Sequence, residues 1–252
     1  IGSGSTASRG DNTGEMGDAL PPVDLGSGRN ATMIAVGSNH SCALLDNATV
    51  KCWGRSNSGQ LGYNDTATRG DGAGEMGNAL PAISFAAGRT ATAIAAGANH
   101  TCALLDNARV VCWGDNAYGQ LGQGNMDNIG DRTGSTVAAT PTIDLGTGRT
   151  AVAISAGDLY TCALLDNASV KCWGMSSNGR LGTGDTNDLG DDPAEMGDAL
   201  SPINLGTGLS AVAVTTGSEH TCVLLTNTNL KCFGNGMDGR LGYGNQNSIG
   251  DG

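Results

Sequence analysis

"HTCALLDNARVVCWG", residues 100–114, sets two cysteines ten residues apart across an Asp-Asn turn. Nearly the same string returns as "HSCALLDNATVKCWG" (40–54), "YTCALLDNASVKCWG" (160–174) and "HTCVLLTNTNLKCFG" (220–234). Cys42, Cys102, Cys162 and Cys222 follow one another at intervals of 60 residues, as do Cys52, Cys112, Cys172 and Cys232. A fixed period of this length is the signature of a repeat architecture. Units of 60 residues occupy 13–72, 73–132, 133–192 and 193–252. They follow a partial repeat at 1–12, "IGSGSTASRGDN", which is in phase with "LGYGNQNSIGDG" at 241–252. The chain reads as a single repeat array over 1–252 that begins and ends at the same point of the repeat.

Within a unit, short alternating runs are separated by Asx and Gly turns, the pattern of antiparallel strands. In the third unit, "AVAISAG" (151–157) puts Val152, Ile154 and Ala156 on one face, and "TCALL" (161–165) and "SVKCW" (169–173) follow. A three-residue loop with Asn167 in the left-handed position would close that hairpin. A Gly/Asp-rich stretch then leads to a last strand, "ALPAISF" (79–85) in the second unit, entered through Pro81. Four strands per unit make the chain all-β. Its 42 glycines and few aromatics fit many tight turns and an aliphatic core.

A turn centred on Asn167 puts Cys162 opposite Cys172, and opposed Cβ atoms stand roughly 4.5–5.5 Å apart, near bonding range. The expected bridges are therefore Cys42–Cys52, Cys102–Cys112, Cys162–Cys172 and Cys222–Cys232. Disulfides of this kind imply an oxidising compartment. Zinc is the competing account, but each unit offers one C-x9-C pair, so two units would have to share a site.

Gly97-x-x-His100-Thr101-Cys102-Ala103-Leu104, then Val111-Cys112-Trp113-Gly114, then Tyr118-Gly119-Gln120-Leu121-Gly122 closely resembles the regulator of chromosome condensation repeat. All four units carry the pattern. The resemblance implies four-stranded β-propeller blades, in a family whose rings usually have seven. It implies the fold rather than the function, because propellers host many roles. The nuclear member of the family binds nucleosomes and promotes nucleotide exchange on a small GTPase. Paired cysteines, an acidic balance and the lack of a basic tail set this chain apart from it. Together with "GEMGDALPPVDLG" (14–26), they make it similar to secreted or surface-displayed repeat proteins. Four blades fall short of seven, so an open array, half of an oligomeric ring and a segment of a longer polymer all remain open.

A net charge of −11 with no cluster of Lys or Arg argues against nucleic acid, which demands concentrated cations. No apolar run approaches the length needed for membrane insertion. The first residue is Ile, which points to a removed leader or a piece of something longer. Oxygen-rich loops suggest calcium: Asp185, Asn187, Asp191 and Glu195 in one loop, and Asp65, Asp71 and Glu75 in another. The alternative use of these residues is Asx turns and caps on backbone N–H groups. In the third loop the glutamate position is Ser135, which weakens the calcium reading.

"RGD" at 9–11 and 69–71 aligns with Ile129-Gly130-Asp131 and its equivalents, so its Arg is incidental variation. Sequons at Asn30, Asn39, Asn47, Asn64, Asn99 and Asn167 are glycosylation candidates, with Asn47 and Asn167 at hairpin tips. His40, His100 and His220 share a position that Tyr160 fills in the third unit, which suits a structural hydrogen bond better than catalysis. With every cysteine paired, no nucleophile constellation remains, so an enzyme is not expected and calcium is the one candidate cofactor. The composition points to a non-enzymatic extracellular protein that builds a surface, matrix or filament through self-association or further repeats. The alternative is a secreted module that binds carbohydrate or protein through its long loops.

Overall fold

The computed structural model describes residues 2–252, and they form four three-stranded antiparallel sheets. The first contains β1 (Ala31–Val36), β2 (His40–Leu45) and β3 (Val50–Gly54). The second contains β4 (Ala91–Ala96), β5 (His100–Leu105) and β6 (Val110–Gly114). The third contains β7 (Ala151–Ala156), β8 (Tyr160–Leu165) and β9 (Val170–Gly174). The fourth contains β10 (Ala211–Thr216), β11 (His220–Leu225) and β12 (Leu230–Gly234). Each sheet is a meander ordered as in the sequence, and each serves as one blade. The first strands of neighbouring blades lie side by side. Gly37, Gly97, Gly157 and Gly217, each just beyond a first strand, converge on one shared depression.

The blades have three strands, not the four expected. The segment "ALPAISF" forms no ladder: Gly77–Ala79 is a 3-10 turn, and the extended residues after Leu80 make one backbone bond, from Ile83 N to Val50 O at 2.8 Å. Pro81 has no N–H to give. Ile83 and Phe85 instead turn inward as core side chains, while Ala82 and Ser84 face solvent. The outer edge of each blade is reduced to a single bridge, Gly54 to Arg69 in the first and Gly114 to Ile129 in the second. Gly54, at φ 107°, and Gly70, at φ 89°, bend the chain away on either side, so pairing stops after one residue pair.

A second departure lies in the first strands. Register slips between Ala151 and Ala153, and at the matching point of the other blades. This β-bulge inserts one residue and turns it over. Val152 is consequently exposed, not on one inward face with Ile154 and Ala156.

The hairpins join Cys42 to Cys52, Cys102 to Cys112, Cys162 to Cys172 and Cys222 to Cys232, each pair directly opposite with Cα atoms 4.1 Å apart. Their turn differs in one detail from the expectation. The left-handed residue is Ala48, Ala108, Ala168 or Thr228, one place after the asparagine. The asparagine serves as an Asx cap: Asn167 Oδ1 accepts from Ser169 N at 3.2 Å and from Ser169 Oγ at 2.7 Å.

The core lies mainly between blades. Cys42, Leu44 and Val50 of the first blade pack with Ile83, Ile94, Ala103, Leu105 and Trp113 of the second unit. Equivalent clusters follow between the second and third blades and between the third and fourth. A blade by itself thus has half a core, and its neighbour supplies the remainder, as expected of stacked repeats.

Candidate functional site at the blade junctions

Each junction is built from the repeat's polar residues. His100 is fully buried at the start of β5, and its Nε2 lies 2.9 Å from Thr161 Oγ1 on β8. Thr161 Oγ1 also donates to the carbonyl of Gln120 at 3.0 Å, and Trp173 Nε1 donates to the same carbonyl at 3.1 Å. One unit earlier, His40 Nε2 meets Thr101 Oγ1 at 2.8 Å, while Thr101 Oγ1 and Trp113 Nε1 both donate to Gln60 O. A threonine hydroxyl has one proton. It goes to the glutamine carbonyl, so the imidazole Nε2 must be the donor.

That assignment leaves Nδ1 as an acceptor, and in His40 and His100 it is buried without a partner. A proton there would have no acceptor, and burial disfavours charge. Burial holds the His40 imidazole down to about 4 and the His100 imidazole to about 3, with the His40 charge adding to the latter. The ring lies close over Gly97: a Cβ on that glycine would stand 2.5 Å from His100 Nδ1 and 2.3 Å from Gly157 O. Tyr160 solves the same problem differently, because its hydroxyl reaches past Thr221 to the carbonyls of Gly217 and His220. The position is a neutral hydrogen-bonding clamp between blades.

A second element of each junction is a strap that leaves the outer edge of one blade and crosses to the next. Leu61 and Gly62 lie on the second blade, where a Cβ on Gly62 would stand 2.8 Å from Trp113 Nε1. Gly122 lies in the same way on Trp173, and Gly182 on Phe233. Residues 2–12 are the strap of the first blade: Gly2 sits on Trp53 and Gly4 N donates to Gly70 O at 3.1 Å. They complete their own chain's first blade, contrary to the expectation that they reach a neighbour.

The loops expected to cradle calcium hold themselves instead. Glu75 Oε2 accepts from the N–H groups of Gly70, Asp71 and Gly72 at 2.8, 3.1 and 2.8 Å. Glu195 Oε2 does the same for Gly190 and Asp192, and Glu15 Oε2 for Gly10 and Asn12. Backbone donors favour the ionised carboxylate, holding Glu75 and Glu15 below the usual range. Asp65 is taken by Arg69 in a bidentate pair at 2.8 and 2.7 Å, and Asp185 Oδ1 caps Asn187 N. Among the described residues no group of three or more His, Cys, Asp or Glu is placed to hold a metal.

The second RGD triplet is likewise occupied, for Arg69 also stacks on Tyr63, 4.5 Å from its centroid. Of the sequon asparagines, Asn30, Asn39, Asn47 and Asn167 are exposed, whereas Asn64 and Asn99 are half-buried. Asn99 Oδ1 accepts from Gln60 Nε2. Sequence reasoning missed the buried lysines: Lys171 Nζ donates to the carbonyls of Leu145 and Gly197 at 3.0 and 2.8 Å, tying a strand to two loops. No local pattern marks that role, because Val111 fills the equivalent place in the second unit.

The most open concavity is a groove of about 550 Å³ beside the first blade, lined by Gly2, Arg9, Met16, Leu20, Val23 and Met76 among others. It presents an apolar floor and no convergent catalytic groups.

Comparison with known proteins agrees with this construction. Models of the regulator of chromosome condensation (RCC1) repeat match residues 33–60, 91–120 and 151–180, and also residues 49–104 and 107–164. The ultraviolet-B receptor UVR8 of Arabidopsis thaliana is 31% identical over 86% of this chain, which spans 44% of the receptor. The human E3 ubiquitin-protein ligase HERC2 is 32% identical over 63% of the chain, which spans 3% of that protein. Among solved structures, human WBSCR16 superposes with a TM-score of 0.71 at 16% identity, covering 99% of this chain and 58% of that one. Prp20p of Saccharomyces cerevisiae gives 0.62 at 19%, covering 84% and 44%. These likenesses speak for the fold. With matches that together take in most of residues 33–180, the chain belongs to the regulator of chromosome condensation repeat family.

Proposed function

We propose that this chain is a non-enzymatic scaffold of an oxidising, extracellular setting, whose blades make protein–protein contacts in a surface, matrix or filament assembly. The observation that carries the reading is the set of four hairpin disulfides, which use every cysteine of the chain. In a reducing cytosol such bonds do not persist. The residues that elsewhere do chemistry have structural duties here: the histidines clamp blades and the glutamates cap loops. Relatives give support of a general kind, since Prp20p is a protein with binding to Gsp1p and histones. Basic partners of that sort suit an acidic chain, although nothing in the blades singles them out.

The test is thiol labelling of the protein taken directly from cells and from their medium. The reading expects secreted protein with eight oxidised cysteines, and reduced, cytosolic protein would overturn it. Imaging of the native particle then separates ordered assemblies from single molecules. The apolar groove favours a second reading, a secreted module that holds an extended apolar segment of a protein ligand. Saturable binding of that ligand by a monomer would support it over assembly.

A further inference from the structure

The two end faces of the array are the two halves of its internal junction. Where the second blade meets the first, Ile94 is 6% exposed, but its equivalent on the first blade, Ile34, is 69% exposed. Leu80 and Ile83 are buried, while Leu20 and Val23 are open. At the other end, Val170 is fully buried against the fourth blade, whereas its equivalent Leu230 is 59% exposed. Leu224 is open where Leu44, Leu104 and Leu164 are covered. His220 presents a clamp imidazole at the end where the earlier blades meet a threonine, and Ser41 presents a hydroxyl at the place of Thr101.

The straps show the same complementarity. Gly2, Gly62, Gly122 and Gly182 each lie on an aromatic ring, but a Cβ on Gly242 would meet nothing within 4 Å. Residues 241–252 are thus a strap with no blade beneath it. Residues 1–12 and 241–252 share Gly, Gly, Ser, Gly and Asp at five matching positions. Both segments are built for the same groove over a Trp53-type ring, and one groove holds one strap.

We infer that the fourth blade of one copy seats on the first blade of a second copy, with strap 241–252 displacing residues 1–12 from Trp53. The occupant is a second copy because each end face continues an interface that this chain already makes three times, with matching apolar residues and matching strap. Contact through unlike ends is heterologous, so it propagates to a ring or a filament. The unpaired faces of an uncapped array favour such growth. This junction rests on the reading of the blades as protein-contact surfaces.

The test uses the oxidised full-length chain in sedimentation velocity, alongside Ile34→Asp, Leu230→Asp and a chain lacking residues 1–12. Both substituted residues are largely exposed, so each variant keeps its fold, which circular dichroism checks. The full chain should associate with rising concentration, and either substitution should leave it monomeric. An equimolar mixture of the two variants retains one good junction and should give a dimer and nothing larger. Removing residues 1–12 should tighten association at least tenfold by clearing Trp53. A full chain that stays monomeric overturns the junction, as does association that survives both substitutions or a mixture that fails to dimerise. Deletion that leaves a normally folded first blade and unchanged or weaker association overturns the strap exchange. Because thiol state and secretion are read separately, loss of the junction is distinguishable from loss of the extracellular reading.

Discussion

His100 and Thr161 are 61 residues apart in the chain and 2.9 Å apart in the fold, joined across two blades. The hydroxyl passes its proton to Gln120 O, which makes the imidazole a neutral donor. Replacing Thr161 by Val keeps the shape but strands two buried groups, the His100 N–H and the Gln120 carbonyl. An unmade buried hydrogen bond costs about 1–3 kcal/mol. Urea unfolding of Thr161→Val should show a loss of that size, and an unchanged midpoint would refute the clamp.

Acid should loosen the same clamps before it reaches the carboxylates. His40 and His100 are held at about 4 and about 3 in the folded chain, against 6.5 when free. Above 6.5 both states are neutral and stability is complete. Between 6.5 and 4 the unfolded chain takes up protons that the folded one refuses, so stability falls as pH falls. At 1.36 kcal/mol per unit, His40 accounts for about 3 kcal/mol at the bottom of that range. Glu75 and Glu15, held low in the fold, add a further loss only below their unfolded value of 4.5. Imidazole titration by NMR should find His220 charging first, and thermal melts should fall steadily from pH 7 to pH 4.5. Normal titration of His100 would contradict this account.

At the hairpin tips, alanine occupies a conformation that costs an L-residue about 1 kcal/mol or more. Ala108 has φ 60°. Ala108→Gly should therefore stabilise by about 0.5 kcal/mol after the greater freedom of the unfolded glycine is subtracted, while Ala108→Val should destabilise. Paired melting curves decide it, and a destabilising glycine would show that the turn is not strained.

Removal of one bridge tests the staples. The Cys102→Ala, Cys112→Ala double variant opens a ten-residue loop and should lose about 3 kcal/mol. Melting of the second blade, followed through hydrogen exchange of β5 and β6, should precede that of the third. Uniform melting at the original temperature would deny the bridges a stabilising role.

The loop carboxylates give a prediction about metal. Glu195→Ala frees the N–H groups of Gly190 and Asp192 and should speed proteolytic nicking within residues 190–198 severalfold. Calcium or chelator should leave the melting temperature of the parent chain unchanged. A calcium-dependent rise of several degrees would restore an ion site to these loops.

Much of this fold was legible in one unit of sequence. The ten-residue spacing of Cys162 and Cys172 about an Asx turn fixes which residues face each other, because strand alternation and a short loop leave one register. Repetition at 60 residues then carries the hairpin to all four places. Local rules failed where a neighbour intervenes. Val152 leaves its expected face through a bulge set by pairing with β8, and the proline-led segment gives its side chains to the junction instead of a ladder. The carboxylates of Glu75 and Glu195 look like metal ligands in the string. Whether they meet an ion or their own loop's N–H groups depends on how tightly that loop curls.

The sequence by itself determined the hairpins, their bridges and the number of units, since each depends on residues a few places apart. Only the tertiary structure decided what His100, Thr161, Gln120 and Gly62 do, because their partners come from the next blade. The physical reason is that half of every blade's core and most of its buried polar partners lie across a junction. Stacking places residues some 60 positions apart in contact, and no local periodicity records which atom of one unit will face which atom of the next.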